Sequence, residues 1–211
     1  MQLSGDDNRP LGRRERKRIA TEDMLAEIAF GLFELHGYES VTMDQIASAA
    51  DVARGTLYNH FPVKEALLDH YFKMEYRTGV EELLGAVITA QGLRAQLAAL
   101  FDAFSVWASA RRKYLPYALE YGIKVKASVD GAMPRSDLQN LFSSLFTSAQ
   151  TSGELPITAE PDYLASNLEL MYFGAIVRWL ASAEESPRDE CRRTLALFLE
   201  GAFSTSAGEQ K

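Results

Sequence analysis

The stretch from Thr42 to Phe61 constrains this chain more than any other. It runs Thr-Met-Asp-Gln-Ile-Ala-Ser-Ala-Ala-Asp-Val-Ala-Arg-Gly-Thr-Leu-Tyr-Asn-His-Phe and reads as two short helices joined by a tight turn. Thr42 and Gln45 make a Thr-x-x-Gln capping box, in which each side chain satisfies a backbone N–H of the first helical turn. Ile46, Ala47 and Ala50 recur at helical spacing and face a core. Asp51 falls where the chain must turn, and aspartate tolerates left-handed backbone angles better than most residues. Val52 plugs the space between the helices. Leu57 and Phe61, four residues apart, continue the apolar face.

The other side chains of the second helix suit a different task. Arg54, Thr56, Tyr58, Asn59 and His60 carry hydrogen-bonding groups, and Gly55 is bare. A short helix studded with such groups fits base edges and phosphates in a DNA groove. Arg54 is the strongest base reader of the set, since a guanidinium grips guanine through two hydrogen bonds. Thr56 and Asn59 add base contacts, while Thr42, Tyr58 and Lys64 position the DNA backbone. Several of these have a plainer alternative. Gly55 either allows close backbone approach to DNA or is tolerated near a helix start. His60 is either a groove contact or a surface residue. Lys64 either meets a phosphate at a helix N-terminus, where the dipole helps, or is an ordinary solvated charge.

Three segments together resemble the TetR family of bacterial transcriptional regulators. They are Thr42-x-x-x-Ile46-Ala47, the run from Val52 to Phe61, and Lys64-Glu65-x-Leu67-Leu68. The match is dense from about Ile19 to Leu68; beyond that only length and architecture are similar. The resemblance implies an all-α fold of about nine helices. An N-terminal three-helix DNA-binding domain would precede a helical bundle for effector binding and dimerisation. It also implies a homodimer whose last two helices form a four-helix interface with their twins. Three positions depart from the family pattern. Asp51 stands where the turn usually has Gly, Ala53 where the recognition helix usually starts with a hydroxyl, and Val63 where Ser commonly starts the next helix. Each lost cap weakens its helix by about 1 kcal/mol.

The formal net charge of -7 argues by itself against nucleic acid, because DNA binding leans on phosphate neutralisation. The distribution reverses that argument. Arg9, Arg13, Arg14, Arg16, Lys17 and Arg18 crowd together with only Glu15 opposing them. Arg13, Arg14 and Arg18 are read as a phosphate-contacting or minor-groove arm; the alternative is a solvated helix start. No run approaches the roughly 20 apolar residues of a membrane span. The basic, polar N-terminus carries no apolar signal core. A single cysteine, Cys191, rules out an internal disulfide and suits a reducing cytoplasm.

Taken in order, residues 1–18 read as a disordered, basic arm and 19–79 as the DNA-binding domain, with its motif at 42–61. Residues 80–205 read as the effector-binding and dimerisation domain and 206–211 as a tail. The first helix carries an apolar stripe of Leu25, Ile28, Ala29, Leu32 and Phe33 and stops at Gly37. A long helix from about Lys64 to Leu84 links the halves, with their boundary near Gly79 inside it. Further helices are expected over about Leu93–Ala110, Tyr114–Lys124, Arg135–Thr151, Asp162–Ala183 and Pro187–Phe203. Pro116 and Pro187 sit in first turns, where proline fits. Asp130-Gly131 and Pro134 mark a loop. The last two helices carry broad apolar stripes: Leu164, Leu168, Met171, Ala175 and Trp179, then Leu195, Phe198, Leu199 and Ala202. Gly174, Ala175 and Gly201 permit close helix approach.

Aromatic residues concentrate in the second half. Pockets between helices are mostly apolar with a few placed polar groups. Phe104, Trp107, Tyr117, Tyr121, Phe146 and Tyr172 are therefore candidates to line an effector site, with Glu169 as its acid. The alternatives are ordinary core for the rings and a surface position for Glu169. Arg111, Arg112, Lys113, Lys124 and Lys126 leave room for an anionic effector.

No His-Glu-x-x-His, Cys-x-x-Cys, Gly-x-Ser-x-Gly or phosphate-cradling glycine loop occurs. No metal, cofactor or catalysis is expected. The expectation is a cytoplasmic, ligand-responsive repressor on a near-palindromic double-stranded operator, released by a small hydrophobic or amphipathic effector. The alternative is a helical binding protein with degenerate DNA recognition.

Overall fold

The computed structural model of the protein describes residues 12–127, 135–182 and 186–203. The described residues form nine helices and no strand. These are α1 (Arg13–His36), α2 (Met43–Ala49), α3 (Arg54–His60), α4 (Lys64–Thr89), α5 (Leu93–Ala110), α6 (Leu115–Ala127), α7 (Asp137–Ser152), α8 (Pro161–Ala181) and α9 (Pro187–Phe203). The chain divides into two compact units, Met1–Tyr76 and Arg77–Lys211, so the division falls within α4.

In the first unit, Leu25, Ala29 and Phe33 recur every four residues on α1 and are fully buried. Ile46, Leu57, Leu67 and Leu68 close the same core from α2, α3 and α4. Ile28 and Leu32, expected on the α1 stripe, are half-buried. Phe30 stacks on Tyr71 with ring centroids 3.9 Å apart. Gly37 ends α1 with φ 83° and donates its N–H to the Phe33 carbonyl at 2.9 Å, a conformation that favours glycine.

The α1 helix begins at Arg13, earlier than expected, so Arg13, Arg14 and Arg18 are helical rather than part of a disordered arm. The cause is local. Arginine, lysine and glutamate are good helix formers, and Arg18 bridges Glu15 and Glu22, each at 2.6 Å, one turn to either side. Arg9 and the remainder of the expected arm lie outside the described residues.

In the second unit, α5 buries Leu93, Leu97, Leu100, Phe101, Phe104 and Ala108 against α7, α8 and α9. Ion pairs brace the periphery. Asp102 on α5 accepts from Arg188 (3.0 and 2.6 Å) and Arg192 (3.1 and 3.0 Å) on α9. These two guanidiniums, Arg188 first, hold the Asp102 carboxyl down at about 2. Buried Glu190 on α9 accepts from Arg178 of α8 and, at 2.7 Å, from Arg193. Burial pushes the Cys191 thiol up to about 12, which leaves it un-ionised and inert.

The stripes expected to dimerise point mostly into the chain's own core. Leu168, Ala175, Trp179, Leu195, Phe198 and Leu199 are buried. The apolar residues that α8 and α9 leave outside are Tyr163, Leu170, Val177 and Leu197, between 49% and 66% exposed. The expected loop at Asp130-Gly131 and Pro134 lies outside the described residues. No helix among the described residues is long and apolar enough to cross a membrane.

Candidate nucleic-acid interface

The capping box at α2 forms in full. The Thr42 N–H donates to Gln45 Oε1 at 2.8 Å, and the Gln45 N–H donates to Thr42 Oγ1 at 3.3 Å. Thr42 remains exposed while its side chain starts the helix. Ile46 and Ala47 are buried, and Ala50 is half-buried. After Ala50 the chain turns through Asp51 at φ 53°, the one described residue other than glycine in left-handed backbone. Asp51 donates its N–H to Ser48 O at 3.2 Å and Val52 donates to Ala47 O at 3.1 Å. The half-buried Val52 then leads into α3, whose N-cap Ala53 supplies no side-chain hydrogen bond. With that cap missing, α3 depends on the burial of Leu57 and Phe61.

Anchoring those two positions turns the others outward. Arg54, Gly55, Thr56, Tyr58 and Asn59 are exposed on one short helix. The Arg54 Nε sits 2.9 Å from Asp44 Oδ1 on α2, and its guanidinium carbon lies 5.4 Å from the Tyr58 ring centroid. The Arg54 pKa is raised, by Tyr58 first and Asp44 second. A Cβ added at Gly55 would meet nothing within 4 Å, so packing inside the chain does not require glycine there. Arg13 and Arg14 are exposed in the first turn of α1.

Three of the expected DNA contacts also have partners within the unit. His60 is half-buried, with Nδ1 3.2 Å from Glu22 Oε1 on α1. The signal was present in the spacing: positions 57, 60 and 61 share one helical face, so a histidine three residues after buried Leu57 turns inward. Arg18 joins the same carboxylate. Lys64 is half-buried and hydrogen-bonded, not an ordinary solvated charge. Its ammonium donates to the carbonyls of Tyr38 at 2.8 Å and Val41 at 3.2 Å and sits 4.4 Å from the Tyr38 ring centroid. It ties the segment after α1 to the start of α4. Lys64→Ala is expected to destabilise the first unit by about 1–3 kcal/mol, the scale of a hydrogen bond to a charged group. Denaturant unfolding measures that loss. The slope of log affinity for DNA against log salt stays the same, whereas losing a phosphate contact would reduce it by about one.

Sequence reading missed two contacts that organise this surface. One is Asp44 beside Arg54. The other is His70 Nε2, 2.7 Å from Asp23 Oδ1, with its ring edge-on to Phe61. Both join residues on different helices, beyond the reach of periodicity.

In the second unit the aromatic candidates divide. Phe104 and Tyr172 are buried with ring centroids 5.4 Å apart, and Phe146 is buried against Phe198 at 5.9 Å. These three are core, not open lining. Trp107, Tyr117 and Tyr121 on α5 and α6 are half-buried, and the Arg111 guanidinium lies over Trp107 at 5.3 Å. Glu169 is buried, which overturns a surface position, and accepts from Ser136, the N-cap of α7. A groove of about 480 Å³ lies elsewhere, lined by Pro156, Thr158, Ala159, Glu160, Tyr163, Leu164 and Gly201. None of the seven expected effector residues lines it.

Comparison with known proteins agrees with this geometry. Residues 25–71, spanning the second half of α1 through the first two turns of α4, match the family model described as bacterial regulatory proteins, tetR family. The HTH-type transcriptional repressor KstR of Mycobacterium tuberculosis is 27% identical over 191 residues, covering 88% of this chain and 80% of that protein. The HTH-type transcriptional regulator TcmR of Streptomyces glaucescens is 44% identical over 54 residues, or 26% of this chain. TcmR and two further curated relatives align over only 24–28% of their own lengths. Among solved structures, Thermus thermophilus FadR, a TetR family transcriptional repressor in complex with lauroyl-CoA, superimposes with a TM-score of 0.71. It is 22% identical and covers 90% of this chain and 99% of its own. The capped α2, the Asp51 turn, the outward face of α3 and these likenesses lead to one conclusion: residues 25–71 form a helix-turn-helix unit that matches the tetR family of bacterial regulatory proteins.

Proposed function

We propose that this protein is a ligand-controlled, DNA-binding repressor. One observation carries the reading: α3 buries Leu57 and Phe61 and presents Arg54, Gly55, Thr56, Tyr58 and Asn59 together to solvent. Such a helix enters the major groove, where Arg54 reads a guanine and Thr56 and Asn59 add contacts. Tyr58 and Thr42 position the DNA backbone. Arg13 and Arg14 add phosphate contacts from the start of α1. One α3 reads few base pairs, so recognition needs a symmetric second copy and a near-palindromic operator. The exposed Tyr163, Leu170 and Val177 recur every seven residues and so form one stripe along α8. That stripe, with Leu197 on α9, is the surface a second copy would cover.

A hydrophobic or amphipathic effector enters the second unit beside the half-buried Trp107, Tyr117 and Tyr121. An acyl thioester is the first class to try, given the ligand of FadR. The helix α4 belongs to both units and carries the signal. A ligand shifts DNA affinity only through unequal affinity for two states of the protein. A compound that binds tightly and leaves operator affinity unchanged contradicts this coupling.

The test begins with selection of a preferred site from random duplex DNA. Arg54→Ala is expected to lower discrimination at one guanine by about 1–3 kcal/mol. Affinities for the site and its single-base variants measure it. Unchanged discrimination removes Arg54 from base reading.

A further inference from the structure

Asp44 lies in the first turn of α2 and holds Arg54 Nε at 2.9 Å. Tyr58 covers the same guanidinium, 5.4 Å from its carbon to the ring centroid. Arg54 is therefore restrained at one edge by a carboxylate and at one face by a ring. An arginine offers five N–H donors in a planar fork. Asp44 engages the Nε edge, and the fork of two terminal nitrogens is the part that guanine O6 and N7 accept.

The pair does little for the fold. Arg54 and Asp44 side chains are 66% and 58% exposed, and ion pairs between such groups contribute little to stability. Toward DNA the Asp44 charge is unfavourable, since it approaches phosphates with the same sign. Beyond its favourable place in the first turn of α2, a residue whose ion pair adds little stability and whose charge opposes DNA in general has a use in selectivity.

We propose that Asp44 is the positioning residue for base reading by Arg54. It orients the guanidinium before DNA arrives, and its charge disfavours duplexes on which no guanine completes the contact. Ordering a long side chain during binding opposes association, and restraint beforehand removes part of that penalty. The inference rests on the base-reading role of Arg54.

The full-length protein, Asp44→Asn, Arg54→Ala and the double variant are compared on a duplex selected by the unaltered protein, on its single-base variants and on scrambled DNA. Asp44→Asn should bind scrambled DNA more tightly and lose about threefold in discrimination at the guanine read by Arg54, the scale of an exposed ion pair. On the Arg54→Ala background it should change that discrimination no further. Full discrimination in Asp44→Asn overturns the proposal. So does an equal loss on both backgrounds, which would mark Asp44 as a helix-start residue alone. If Arg54→Ala discriminates as well as the unaltered protein, the base-reading role itself fails and this inference falls with it. Because Asp44 is exposed, its variant is expected to keep the unaltered unfolding midpoint, and a shared midpoint ties the binding changes to the reader.

Discussion

Leu57→Ala is expected to destabilise the first unit by about 2–5 kcal/mol, the range for truncating a fully buried leucine. Its helix spans seven residues, starts without a side-chain cap, and buries Leu57 completely. A helix that short does not persist in water by its own propensity. What holds it is the contact of Leu57 and Phe61 with the core built by Leu25, Phe33, Ile46 and Leu67. Since small domains are stable by only about 5–15 kcal/mol, the loss is a large fraction of the total. The binding defect should differ in kind from that of Arg54→Ala. Leu57→Ala lowers affinity for every duplex as the reader frays, while Arg54→Ala redistributes preference among duplexes. Denaturant unfolding followed by helical circular dichroism gives the first number, and binding to operator and scrambled DNA gives the second. A Leu57→Ala protein with unaltered stability would show that α3 is held by something other than this anchor.

Phe101→Ala is expected to cost the second unit about 3–5 kcal/mol. Phe101 is fully buried on α5, its ring 5.6 Å from Tyr172 of α8 and 6.2 Å from Phe142 of α7. The Tyr172 contact is edge-on, at 75° between planes, and such pairs add about 0.5–1.5 kcal/mol beyond area burial. One ring thus joins three helices. Trp107→Ala should cost much less, because Trp107 is only half-buried. That contrast separates core rings from rings available to an effector. If the Phe101 and Trp107 substitutions have equal cost in denaturant unfolding, that division is wrong.

The effector candidates show why ring identity alone does not locate a pocket. Phe104, Phe146 and Tyr172 share the helical spacing of Trp107 and Tyr117, yet the first three pack against other rings. An amphipathic stripe specifies that a face is covered, not by what. The same holds for α8 and α9. Their broad stripes close the chain's own bundle, and the exposed Tyr163, Leu170 and Val177 lie on a separate seven-residue stripe, with Leu197 outside on α9. Glu169, flanked by leucines, is buried, and the α7 cap Ser136 donates to its carboxylate across the bundle.

The sequence by itself determined the features that depend on near neighbours. Thr42 and Gln45 start α2, Asp51 makes the turn, and Gly37 ends α1. Pro187 opens α9, and Leu57 and Phe61 set which side of α3 is buried. Backbone angles and one-turn spacings are short-range properties, so three or four residues suffice to read them. Only the tertiary structure decided which polar side chains stay outside. His60 meets Glu22 from 38 residues away and Lys64 meets the Tyr38 carbonyl from 26. Asp44, which no periodicity marks, ends beside Arg54 because the turn folds α3 back toward α2. A charged group settles on whichever partner the packing of helices brings near it. That packing is set by the whole core and not by the residues adjoining the charge.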